Sequence, residues 1–252
     1  MRSITKKINW FFWIGILSIF IIWMLGALSV NNSFILPDPL LTFKALGDLI
    51  GQKKTYIILG YSLSRLLTAI ILSFIIAILT GSISIISKKF ADIISPWVSL
   101  LKTVPLAVVI ILFLIYFKAN LSVYFIVGVM IYPIVYEGFV ASFKTLNQDL
   151  MNEIKMLSNV NGEVIRKVIL PITMPHILTT IIQSFGLGLK VLVMAEYIAQ
   201  PNNSIGKQMV FYKEHAIQME YVFAWALIII VLVIVVELVI KFFQNKIIYE
   251  IK

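Results

Sequence analysis

Hydrophobic positions in this chain neither alternate nor keep to a single stripe. They run on in long stretches, apolar nearly all round, parted by short polar breaks. Six such stretches can be read, at about residues 8–30, 56–86, 93–117, 121–141, 172–198 and 221–243. A helix needs about 20 predominantly apolar residues to cross a bilayer. In lipid it satisfies its backbone polar groups within itself. The pattern therefore predicts an all-α, polytopic membrane protein with six transmembrane helices. The weaker dyad pattern of a membrane β-barrel is absent. "KAN" at Lys118, Ala119 and Asn120 divides the third stretch from the fourth.

Composition agrees. Of 252 residues, 60% are apolar and 13% charged, with a mean hydropathy of +0.99; soluble domains are about 45–50% apolar and about 25% charged. The absence of cysteine excludes disulfides, thiol catalysis, iron–sulfur ligation and thiolate zinc sites. The net charge of +9 raises the question of nucleic acid, and its distribution answers it. With the N-terminus inside, the inner segments hold twelve Lys and Arg residues, the outer segments six, and Arg65, Lys102 and Lys190 lie in or near spans. That is the positive-inside pattern of a cytoplasmic membrane protein. Both termini are expected in the cytoplasm, and no nucleic-acid partner is expected. The first stretch is long and lacks a small-residue cleavage site, so it reads as a retained helix rather than a signal peptide.

Two connecting segments carry pattern of their own. The outer segment 31–55 contains "LPDP" and then an apolar-periodic run over 40–50. This suggests a short interfacial helix or a packed cap. The inner segment 142–171 is the longest. Leu150, Ile154, Leu157, Val164, Ile165, Val168 and Ile169 fall at helical spacing, while Glu153, Lys155, Glu163, Arg166 and Lys167 take the other face. "NVNG", ending at Gly162, is a turn signal, with Asn161 placed to cap a second short helix. Pro171 and Pro175 are expected to separate that helix from the next span. The result is a compact amphipathic knob on the cytoplasmic face, although such a loop can also simply lie on the headgroups.

The end of this knob, Val168-Ile169-Leu170-Pro171, resembles the Ile-x-Leu-Pro that closes the coupling-loop signature of ABC importer permeases. Counting back from Pro171 puts Asn152, Glu153 and Ile154 at the Glu-Ala-Ala positions and Ser158 at the signature glycine, with Gly162 the nearest glycine. Other stretches resemble the nitrate/sulfonate/taurine branch of that family, in order along roughly residues 36–210. They are "LPDP", "SLSR" ending at Arg65, "SPWVSLLKTVPLAVV", "YPI" from Tyr132, and "VMAEYIA" around Glu196. "YFKAN" and "SIG" stand where that branch has Phe-Gly-Ile-Gly and Gly-Leu-Gly.

The resemblance implies a single permease domain over residues 1–252, with a core at 56–243 and a coupling loop at about 142–171. It implies three kinds of partner: an ATP-binding subunit dimer, a second permease (expected as a homodimer), and an extracytoplasmic substrate-binding protein. Leu150, Asn152, Glu153, Ile154, Leu157, Ser158, Gly162 and Pro171 would then couple the chain to the ATPase. The solute would be a small anion such as a sulfonate, nitrate or taurine, or a pyrimidine precursor of thiamine.

Ionisable residues inside spans are costly and mark function or ion pairs. Arg65, Glu137, Lys190 and Glu196 qualify, and Glu237 lies among valines in the sixth stretch. An Arg65 ion pair with Glu137 or Glu196 is one reading, and a basic residue on an anion path is the other. No nucleotide loop or nucleophile motif is present, so no catalysis, cofactor or metal site is expected. His176 and His215 fall on opposite sides of the expected topology. A gradient-driven carrier and, further off, a lipid-modifying membrane enzyme are the alternatives.

Overall fold

The computed structural model describes residues 10–144 and 170–251. Its helices are α1 (Trp10–Val30), α2 (Pro39–Ile50), α3 (Lys53–Ile86), α4 (Lys88–Thr103), α5 (Leu106–Tyr116), α6 (Ala119–Lys144), α7 (Leu170–Ala199), α8 (Ile205–Val210) and α9 (Met219–Ile251). A π-helical turn at Phe211–His215 follows α8. No strand occurs among the described residues. Five of these helices are long and apolar enough to cross a membrane, and α4 with α5 make a sixth crossing if counted together.

That pair corrects the continuous third span read from the sequence. α4 and α5 meet at a bend of 101°. Pro105 has no N–H to offer the carbonyl of Leu101, and its ring disfavours helical backbone at Val104. Val104 accordingly leaves the helix with φ −62° and ψ 128°. The fifth span also differs from its expected start. Pro171 and Pro175 both fall within the described helix α7, Pro175 inside it rather than ahead of it.

The residues divide into two compact units. One comprises the chain up to residue 56 together with 208–228, and the other comprises 57–207 with 229 onward. In the first, Asp38 caps α2 by accepting from the Leu41 N–H at 2.8 Å, with Pro39 at the first helical position. The "LPDP" stretch is thus a helix start. Trp23 of α1 donates its indole N–H to the Pro37 carbonyl at 3.0 Å, and Phe20 stacks on Phe43. α2 buries Thr42, Ala45 and Leu49.

The second unit is built on α3, α6 and α7, with α6 packed along α7. Leu66, Ala69, Ile126, Val127, Ile131, Leu189 and Leu192 form its core. Lipid tails are as apolar as leucine, so association here depends on close packing and interhelical hydrogen bonds. Gly188 shows the first: a Cβ there would lie 2.7 Å from Ile131 Cδ1 and 2.8 Å from Leu66 Cδ1. The second appears as polar rungs from α3 to α6. Ser73 donates to the Gly128 carbonyl at 2.8 Å, Thr80 and Tyr132 share a 3.0 Å bond, and Tyr136 donates to Ser84 at 2.8 Å.

Candidate functional site

α3 carries Ser62 and Arg65 one turn apart and therefore on one face. Opposite them, the last turn of α7 carries Glu196. The two helices bring an arginine and a carboxylate together at 3.0 Å, with side-chain exposures of 6% and 0%. Burial on this scale makes full pairing obligatory, because an uncompensated charge in such surroundings is strongly destabilising.

Both terminal nitrogens of Arg65 and both oxygens of Glu196 are paired. Arg65 Nη1 donates to Glu196 Oε1 at 3.0 Å and to the Asn203 carbonyl at 3.1 Å. Nη2 donates to Asn120 Oδ1 at 3.2 Å and to the Asn202 carbonyl at 2.7 Å. Ser62 Oγ lies 2.9 Å from both Glu196 oxygens, so its one proton is shared between them, and it accepts from the Ile205 N–H at 3.2 Å. The Gly206 N–H donates to Glu196 Oε2 at 3.3 Å.

The loop after α7 is shaped to reach this node. Gln200 turns the chain with φ 47°, and Asn203 does so again with φ 49°; asparagine tolerates that region through local hydrogen bonding. Ser204 then caps α8 by accepting from the Lys207 N–H at 3.2 Å. α8 crosses α7 so closely that a Cβ on Gly206 would stand 2.2 Å from the Tyr197 backbone nitrogen. In "SIG", then, the serine starts the helix and the glycine permits the crossing. The node ties α3, α6, α7, the following loop and α8 at one end of the bundle. It is closed to a ligand, since its charges are already matched by this chain.

The remaining expected residues lie elsewhere. Glu137 of α6 does not meet Arg65; it accepts from Lys102 Nζ at 2.9 Å through both oxygens, with side-chain exposures of 48% for Lys102 and 49% for Glu137. Lys190 is exposed on α7. Glu237 pairs with Lys241 one turn on along α9. Leu150, Asn152, Glu153, Ile154, Leu157, Ser158 and Gly162 lie outside the described residues. Asn120, Ser62 and the two loop carbonyls were not foreseen as partners of the node, nor Lys102 as the partner of Glu137. Only the serine had a visible signal, one turn before the arginine in "SLSR".

Two grooves flank the α3–α6 contact. One, of about 520 Å³, is lined by Thr68, Ser73, Tyr124 and Tyr132 among apolar neighbours. The other, of about 610 Å³, lies between α3, α4 and α6 and includes Asp92, Ser95, Ser99 and Glu137.

Comparison with known proteins gives three likenesses. Residues 69–249 match the family described as binding-protein-dependent transport system inner membrane component. A Bacillus subtilis (strain 168) protein named as an aliphatic sulfonates transport permease protein, SsuC, is 29% identical over 183 residues. That alignment takes in 69% of this chain and 64% of the relative, so the chain spans just under two thirds of that protein's length. A chain from the MetNI methionine ABC transporter, solved in inward-facing conformations, shares the fold with a TM-score of 0.65 at 10% identity. The likeness covers 76% of this chain and 96% of that one.

Proposed function

The chain belongs to the family of binding-protein-dependent transport system inner membrane components, and from that premise we propose that it is the membrane-spanning permease subunit of a bacterial ATP-driven importer. The carrying observation is the family match over residues 69–249, which runs from within α3 to near the end of α9. In this reading a second copy of the chain completes the transport path, and an ATP-binding subunit dimer drives it from the cytoplasm. An extracytoplasmic binding protein delivers a small solute of the sulfonate class, the class in the name of the sulfonate permease relative. The excess of basic residues on one side supports cytoplasmic termini.

The segment 142–171 serves as the coupling element. Leu150, Ile154 and Leu157 form its contact face, and Pro171, near the start of the described part of α7, marks its joint to the bundle. The closed node at Arg65 and Glu196 supports the mechanical side of this reading. A bundle whose helix ends are tied at one end transmits a push at the other as a tilt rather than as local unravelling.

Purification from the native membrane in mild detergent, with mass spectrometry of what co-elutes, tests the assignment. A stoichiometric P-loop ATPase is the expected companion. A clean particle without one, under conditions that keep a control transporter intact, would overturn the reading. The coupling element has its own prediction: Leu157→Asp leaves ATP hydrolysis running while solute uptake per ATP falls sharply. Normal uptake by that variant would remove the segment from the coupling role.

A further inference from the structure

The polar residues of α4 are ordered. Lys88, Asp92, Ser95, Ser99 and Lys102 recur at spacings of four and three, which places them on one face of the helix. Ile93 and Trp97 take the opposite face and are exposed. Asp92, Ser95 and Ser99 line the 610 Å³ groove together with Ser84 of α3 and Tyr136 and Glu137 of α6. At its head Glu137 holds Lys102, and each side chain is about half exposed.

One residue past Lys102, at Thr103, α4 ends, and α5 follows after a bend of 101°. Interrupted backbone at membrane depth is tolerated where it is buried in protein or lines a water-filled cavity, and ionisable side chains there follow the same rule. The Lys102–Glu137 pair is not buried by this chain. The break, the polar stripe and the exposed pair all point to water on this face.

Charge then narrows the solute. Among the described residues, two carboxylates, Asp92 and Glu137, and the ammonium of Lys102 stand around the groove. With two carboxylates to one ammonium, a bare anion held at Lys102 would stand against the negative charge of Glu137 and Asp92, which repels it. A solute bearing both an acidic group and an ammonium exchanges one ion pair for two and strands nothing. Resting on the transport reading above, we infer that the α3–α4–α6 groove is a water-filled stretch of the solute path in which Lys102 binds the acidic end, and Glu137 the ammonium end, of a small zwitterion.

The absence of cysteine permits a direct test in the complete transporter reconstituted in proteoliposomes. If no ATPase co-purifies, the same measurement is made on the chain alone, so the two readings fail separately. Ser99→Cys and, on the opposite face, Ile93→Cys are labelled with charged methanethiosulfonate reagents present on both sides. Ser99→Cys is expected to react about tenfold faster or more, equivalent to about 1.4 kcal/mol in activation free energy. 2-Aminoethanesulfonate or 3-aminopropanesulfonate slows its labelling, ethanesulfonate does not, and Glu137→Gln abolishes the zwitterion protection. Equal slow labelling at both positions would show the groove dry and overturn the inference. Equal protection by ethanesulfonate, or none by either aminosulfonate, would overturn the zwitterion assignment.

Discussion

Two ion pairs in the same helical unit have opposite characters. Arg65 and Glu196 are almost wholly buried, and each is held by several further groups drawn from α3, α6, the loop after α7, and α8. Lys102 and Glu137 are half exposed and hold chiefly each other. The first pair has its charges matched by many groups, so nothing outside the chain can compete for them. The second has matched its charges with a single partner, and a solute bearing both signs can take that partner's place. How many groups share a charge, rather than the length of its shortest contact, separates a structural strut from a site that can be exchanged.

Breaking the strut should have the largest effect. Arg65→Ala leaves the Glu196 carboxylate buried without its cation, at a cost of about 3–5 kcal/mol, read as a fall in the thermal midpoint in detergent or as lost yield of folded protein. An unchanged midpoint would remove the distinction between the pairs. Gly206→Ala should come next. Its new methyl meets the backbone of α7 rather than a yielding side chain, and forced repacking of this kind costs about 1–3 kcal/mol. The same thermal measurement checks it, and a neutral result would mean that α8 moves freely against α7. Lys102→Met should be the smallest, within about 0–1 kcal/mol, as for other exposed pairs. A loss as large as that of Arg65→Ala would make Lys102–Glu137 a second strut and sink the comparison.

The spans were legible in the sequence because long apolar runs report membrane crossing directly, and the helix over 40–50 was legible from its periodicity. The break in the third crossing was not. Both halves are apolar enough to average into one window, and Pro105 alone does not distinguish a kink from a turn. Arg65 stood out as a cation in an apolar run, and its choice between Glu137 and Glu196 did not. That choice depends on helix register, set by close contacts such as Gly188 against Ile131 and Leu66, which join residues distant in sequence. The carbonyls of Asn202 and Asn203 were the least legible part, because every residue has a carbonyl and only the loop's folded path aims these two. Their one trace is the paired asparagine, a residue type that accepts the left-handed turn seen at Asn203.

The bend between α4 and α5 also bears on how the chain enters the membrane while it is being made. α5, with eleven residues, is about 16 Å long, roughly half the thickness of the hydrocarbon core, and α4 brings charges with it. Neither is a good candidate for insertion alone. α6 follows at Ala119, with only Phe117 and Lys118 between it and the end of α5, and it carries Glu137, the partner of Lys102. The bent pair is therefore expected to enter the bilayer together with α6, as a hairpin. The order of synthesis, with lysine first and glutamate after, would then set the moment at which this part of the bundle closes.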